Sequence, residues 1–402
     1  MKKFLAILLA SILLLSFTAC GDEKEDEAGN DSNNTPNTDL VMTEGDFKYS
    51  VNEDGDYEIV GYIGSDADIE IPSKMEDERP VTGIGANAFR ASTVIKTVKI
   101  PDTVEYISAH AFYDCDLIEA ITLPDSVTLI ETGAFEDCSA LKTVKLSSAI
   151  TSIGNYAFKD CKVLKSITLP ETLTNIGDAA FWNCEAFTEV TIPAAVKYVG
   201  KTAFNHCINL EKVTVNTTDA EIDTAAFMDC EKLTYTEYEN GKYLGNKDNP
   251  YIVFAKVIDT TVSELNFHKD TKIIAAYAVA NCTLVESVDI PEGVKTLSAD
   301  VFEDCISLEY VIIPKSLKTI GANAFKNCDK LTTEKDDKEM FNVFSRSTPD
   351  SWDPTKENIV SSHSTNLMNR ENIYFYTETE LVGSPFAHWH LVEGVPTVWS
   401  AQ

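Results

Sequence analysis

The sequence predicts an α/β repeat fold. It reads as a solenoid of 23-residue turns, with a parallel sheet on one face, short helical turns on the other and β-hairpin caps. Three observations lead there. First, cysteines fall at 115, 138, 161, 184, 207 and 230, each 23 after the last, and again at 282, 305 and 328. Second, an aromatic or apolar residue stands three positions before each, from Phe112, Phe135 and Phe158 to Val279, Phe302 and Phe325, and another three positions after, from Ile118, Leu141 and Leu164 to Leu331. Third, segments such as Leu141-Lys142-Thr143-Val144-Lys145-Leu146 alternate as a half-buried strand does. Prolines at 101, 124, 170, 193, 291 and 314 end these strands in register. A period this long means that each turn buries its apolar face only against its neighbours.

The elements follow in chain order. Lys2 and Lys3 precede an apolar run from Phe4 to Leu15, then Ser16, Thr18, Ala19 and Cys20. That run is too short for a lasting membrane helix, and residues 1–19 are expected to be a signal peptide. The pattern resembles a bacterial lipoprotein signal, which implies lipidation of Cys20 as the membrane attachment. Phe17 departs from the leucine usual at that place. Residues 20–40, opening Gly21-Asp22-Glu23-Lys24-Glu25-Asp26-Glu27, have almost nothing to bury and read as an acidic, disordered tether. The acidic run is similar to the export signal of outer-membrane lipoproteins in Bacteroides-like bacteria, although Lys24 interrupts it.

Residues 41–80 are expected to form an N-terminal β cap, with a hairpin from Phe47 to Tyr62 and a first strand at Ile69-Glu70-Ile71-Pro72. Residues 81–331 form the repeat. An Ile-Gly pair, as in Ile153-Gly154 and Ile176-Gly177, leads into each Ala-Phe turn, which is expected to be helical. One turn, between Tyr238 and Phe267, is 29 residues long and lacks the Ala-Phe-x-x-Cys pattern, so a hairpin near 239–262 is expected to replace it. That makes eleven turns. Residues 332–370 read as polar and irregular, and residues 332–402 as a C-terminal region ending in a capping hairpin from His388 to Trp399.

The full repeat, Ile-Gly-x-x-Ala-Phe-x-x-Cys-x-x-Leu-x-x-Val-x-Ile-Pro, closely resembles the BspA-like class of leucine-rich repeats over roughly residues 81–331. The resemblance implies a binding protein that attaches to host matrix proteins, host cells or other bacteria.

Residue chemistry points away from catalysis. With 33 basic and 64 acidic residues the net charge is −31, which excludes nucleic acid as a partner and an anionic membrane surface as the main ligand. No nucleophile elbow, HExxH motif or P-loop occurs, and no cofactor is implied. Nine is an odd number of solenoid cysteines, and their column points inward, so they are expected to be free buried thiols. The residue before each cysteine is Asp, Asn or His. A carboxylate ladder for Ca²⁺ and a row of side-chain caps both fit that column, and the mixture favours caps. His388 and His390 share a strand face without a third metal ligand nearby.

The outward columns of the sheet are the candidate binding face: Thr143, Lys145, Ser166, Thr168, Glu189, Thr191, Lys212 and Thr214, with Tyr310 and Ile312 as an apolar spot. Small hydroxyls dominate. The expected ligand is a protein or glycan, and the expected place is the cell surface, lipid-anchored at the outer membrane. An envelope scaffold facing the periplasm, or a glycan-binding accessory protein, is the alternative.

Overall fold

The computed structural model describes residues 41–335, 338–341, 343–346, 374–376, 387–392 and 395–398. The signal peptide, the tether and Cys20 lie outside the described residues. So do residues 347–373.

Most regular turns contribute two short parallel strands where the sequence suggested one. The expected strands are Thr97–Lys99, Ala120–Thr122, Thr143–Lys145, Glu189–Ile192, Lys212–Val215, Ser287–Asp289 and Tyr310–Ile313. They pair in register wherever neighbouring turns permit, as Val144 with Ile121 and Val190 with Val213. A second ladder takes only two residues per turn: Tyr106–Ile107, Leu129–Ile130, Ser152–Ile153, Asn175–Ile176, Tyr198–Val199 and Glu221–Ile222. It belongs to a ten-stranded sheet that starts at Met42–Glu44 in the N-terminal cap. Its second residue is buried in every turn and its first is half-buried. Three threonines strengthen it, the hydroxyls of Thr128, Thr151 and Thr174 each donating to a backbone carbonyl of the preceding turn.

The helical turns expected on the far side are not there. The Ala-Phe segment is an arch of tight turns, because two residues in each repeat sit at positive φ. One column runs through Asn87, His110, Tyr156, Ala179 and Thr202, the other through Asp114, Asp137, Asp160, Asn183, His206 and Asp229. A left-handed residue every fourth position ends any run of helical hydrogen bonds. Amides of the arch instead bond across to the next turn: His110 N–H to Thr132 O at 2.9 Å, Phe112 N–H to Ala134 O at 2.8 Å and Asp114 N–H to Glu136 O at 2.9 Å. The Asp/Asn/His column is therefore explained by backbone conformation, since these residues tolerate the left-handed region best after glycine. Its side chains bond along the stack, Asn183 Nδ2 to Asp160 Oδ1 and Asn327 Nδ2 to Asp304 Oδ1, both at 2.6 Å. A short 3-10 helix, Thr224–Phe227, replaces the arch in the turn before the long one.

Between these layers lies the core. Phe89, Phe112, Phe135, Phe158, Phe181, Phe204 and Phe227 form a continuous stack with ring centroids 5.0–5.5 Å apart and planes within 13°. Each Cys beside it is free, and all but the half-buried Cys230 are buried. Its S–H donates to the Phe carbonyl 26 residues earlier, as Cys138 to Phe112 O at 3.0 Å and Cys161 to Phe135 O at 3.2 Å. Burial pushes the Cys115 thiol up to about 11 and that of Cys282 to about 12. At Gly177 the chain passes so close to the preceding turn that a Cβ would lie 2.5 Å from Asn155 N.

The long turn enters this stack as a meander. Thr236–Tyr238 pairs antiparallel with Gly241–Leu244, which pairs antiparallel with Val253–Val257, which rejoins the two-residue ladder beside Ile273–Ile274. Tyr243, Leu244, Ile252, Val253 and Phe254 supply its share of the core. At the C-terminal side, part of the stretch expected to be irregular is strand. Thr332–Lys335 and Lys338–Phe341 make a hairpin, and Val343–Ser345 continues the strand ladder beside Tyr310–Ile313. Tyr374–Tyr376, Ala387–Val392 and Val395–Val398 extend the same sheet.

Two outcomes follow from the stack. Phe158→Ala, which empties a site enclosed by rings at 5.2 and 5.4 Å, is expected to cost about 3–5 kcal/mol, and Thr168→Ala on the exposed face under about 0.5. Equal melting shifts for the two would contradict the assignment. The buried solenoid thiols, Cys230 apart, are expected to resist a thiol reagent at pH 8 in the native protein and all to react in guanidinium. Rapid labelling of these thiols in the native protein would refute their burial.

Candidate ligand-binding face

The strand ladder places Thr143, Lys145, Ser166, Thr168, Glu189, Thr191 and Lys212 in the open, with Thr214 half-buried. Side chains of one strand stand beside those of the next because the pairing is in register: Glu189 neighbours Lys212 and Thr191 neighbours Thr214. Ser166 and Thr168 lie on an extended segment without assigned strand pairing. The surface is flat, rich in hydroxyls and sparsely charged.

Ile312 is not part of it. It is 6% exposed, its register partner is Phe344, and it packs in a small separate cluster with Phe344 and Trp389. Tyr310 is half-buried, its ring edge-on to Phe344 at 5.9 Å. The Trp389 indole N–H donates to Ser345 O at 3.0 Å and fixes the cover. The apolar spot is thus an intramolecular contact with the C-terminal strands.

Where the long turn meets the face, a cavity of about 530 Å³ opens. Lys212, Thr214, Thr236, Asn246 and Lys247 are among the residues lining it. Lys212 and Thr214 belong to the expected face. Thr236, Asn246 and Lys247 come from the long turn and were not singled out in the sequence. The 29-residue spacing marked the place and gave no sign that the strand there would turn away.

Behind the cavity the two-residue ladder crosses from Glu221–Ile222 to Ala276, whose N–H donates to Ile222 O at 2.9 Å. Burial, then the charge of Asp223, raises the Glu221 carboxyl above its ordinary range, and burial does the same to Asp223. Among the described residues no cluster of three or more metal-ligating side chains occurs, and no helix is long and apolar enough to cross a membrane.

The profile of the BspA type leucine rich repeat region matches residues 67–185, 139–247 and 253–343, more than half of the chain. The chain belongs to this family. Among solved structures, this BspA-type protein is similar to the T. pallidum leucine-rich repeat protein, with 27% identity and a TM-score of 0.45, over 48% of this chain and 91% of that one. It is similar to a leucine-rich cell surface protein of Faecalibacterium prausnitzii A2-165, with 23% identity and a TM-score of 0.40, over 80% and 99%. It is also similar to the pneumococcal vaccine antigen PcpA, with 17% identity and a TM-score of 0.39, over 85% and 94%. None of the curated proteins compared matches this chain. In this BspA-type repeat the family columns account for the core. The seam at the long turn is a departure from them.

Glu221 supplies a pH test of this junction. A carboxyl whose folded value is raised costs stability while ionised, and that cost fades as pH falls through its folded value. Glu221→Gln is therefore expected to raise the melting temperature at pH 7, with the gain shrinking on acidification towards the ordinary carboxylate range. A loss at pH 7, or a gain independent of pH, would contradict this.

Proposed function

We propose that the chain is a non-enzymatic binding protein, displayed at the cell surface by a lipid on Cys20, that engages a protein or glycan through the solenoid's strand face. Adhesion is the role this reading favours. The observation that carries it is the exposed polar array of Thr143, Lys145, Ser166, Thr168, Glu189, Thr191 and Lys212, in register where its strands pair. A polar array held on a rigid ladder suits an extended ligand, because its side chains are already ordered by the sheet and lose little freedom on binding. Small hydroxyls leave the backbone plane open to close approach by a flat partner. The acidic tether would hold the face away from an anionic surface, and the acyl chains would be the attachment.

Protease treatment of intact, unpermeabilised cells tests the placement, with a periplasmic protein as control. Cleavage of this chain with the control spared is the expected result. Protection until lysis would remove the adhesion reading and leave an envelope scaffold. Loss of membrane association in Cys20→Ser would separately support the anchor.

A further inference from the structure

The cavity at the long turn is a break in the strand ladder. Lys212–Val215 pairs on one side with Glu189–Ile192 along four residues. On its other side the next turn should continue the ladder, but Thr236–Tyr238 pairs instead with Gly241–Leu244. Hydrogen bonds fasten the two ends of the seam: Thr234 N–H donates to Glu211 O at 3.1 Å, and Val215 N–H to Gly245 O at 2.9 Å. Between these clasps lies the cavity of about 530 Å³, a size typical of small-ligand sites.

Its walls have a definite chemistry. Val213 and Leu244, 6% and 3% exposed, form an apolar floor. Above it stand the hydroxyls of Thr214 and Thr236 and the Asn216 amide. The rim loop is rigid, because Asn246 uses its whole side chain on backbone and neighbour. Its Nδ2 donates to Val215 O and Asn216 Oδ1, and its Oδ1 accepts from the amides of Asp248 and Asn249. Lys247 is held within that loop. Among the described residues neither Lys247 nor Lys212 makes an ion pair, although the chain carries a net charge of −31 and most other lining groups are neutral. Asp248 on the rim, Glu189, the register neighbour of Lys212, and Glu211 and Glu237, which adjoin Lys212 and Thr236 in the chain, are acids of this region. They would repel an anion that offered nothing else.

We infer that this seam is a binding site for an anionic saccharide unit, at the end or a side branch of a glycan. The inference rests on the binding-face reading above and gives it a ligand class. Two unpaired ammonium groups meet the carboxylate or sulfate. The hydroxyls and the amide meet sugar hydroxyls, and the apolar floor meets a C–H face. The clasps close both ends, so a chain terminus enters and a continuous strand does not thread through. The same clasps deny a peptide strand the open sheet edge it would need.

Calorimetric titration of the full chain tests this with four probes: trigalacturonate, a sulfated heparin tetrasaccharide, neutral maltotriose and a short Asp-rich peptide. One or both anionic saccharides are expected to bind in preference to maltotriose and to the peptide, and the better one identifies the group held. The double variant Lys212→Gln, Lys247→Gln is expected to weaken binding about tenfold or more with an unchanged melting temperature. Lys162→Gln, at an exposed lysine outside the strand face, should change it less than about twofold. No binding of either anionic saccharide, preference for the peptide, or equal loss in Lys162→Gln would overturn the site. Ligand capture by cells that survives the double variant but is lost in Thr168→Arg or Thr191→Arg would overturn the site and leave the binding-face reading standing. Capture unaffected by any of these variants would overturn both.

Discussion

Everything in this fold depends on one turn superposing on the next at a spacing of about 5 Å, set by strand pairing. The phenylalanine rings show it most directly, with centroids 5.0–5.5 Å apart through seven turns. At that spacing the stacked rings lie nearly parallel, and in these turns the residue before each ring is small. Ala111, Ala134, Ala157, Ala180 and Ala203 are accordingly fully buried. The same spacing makes Gly177 necessary, since a side chain there would meet the backbone of the turn before. It also decides the arch. A helix would direct its amides along its own axis, whereas the left-handed residues turn amides such as those of Phe112 and Asp114 towards carbonyls of the next turn.

The cysteine column is a second consequence. Most of these Phe carbonyls already accept a hydrogen bond within their own arch, as Phe135 O does from Cys138 N–H at 3.4 Å, and retain a second lone pair in a dry interior. The thiol of Cys161, one turn on, reaches it at 3.2 Å. Serine would bond there more strongly but at a greater desolvation cost. Alanine would leave both the lone pair and the volume unfilled. Strand spacing brings adjacent thiols within the range of a disulfide, yet each is directed at a carbonyl and burial suppresses its thiolate. The nucleophile needed for exchange is absent from the native state even under oxidising conditions.

These constraints also determine what was legible in the sequence. Columns that repeat every 23 residues announce themselves, so Phe, Cys and the strand alternation could be placed residue by residue. The two-residue ladder could not, because alternation needs more than one inward and one outward residue to be seen. The Asp/Asn/His column carried the clue against helix, through its tolerance of positive φ, but a side-chain cap accounts for the same residue types. Ile312 was misplaced for a different reason. Its cover comes from Phe344 and Trp389, and Val343 stands 32 residues after its ladder partner Val311, outside the period that made everything else readable. Of the candidate site, Lys212 and Thr214 were visible as outward residues. Their partners across the seam were hidden in a turn with no repeat to compare.

The regular turns leave little room for a specific site. Each residue position in them must satisfy two neighbours that are nearly copies of itself, so a concavity in one turn is filled by the next. The longer turn escapes this. Six added residues let Thr236–Tyr238 pair with its own following strand, which relieves it of matching Lys212–Val215. The core stays closed because Tyr243, Leu244 and Phe254 replace what the missing arch would have contributed. The two-residue ladder resumes beside Val253–Val257, and the bond from Ala276 to Ile222 bridges the break. The insertion thus opens the polar face while the buried side is repaired, and it does so at the one junction where side chains from two dissimilar turns face each other. A repeat protein that must recognise something particular has its best opportunity at such a junction, where the symmetry that stabilises the stack no longer dictates the chemistry of its surface.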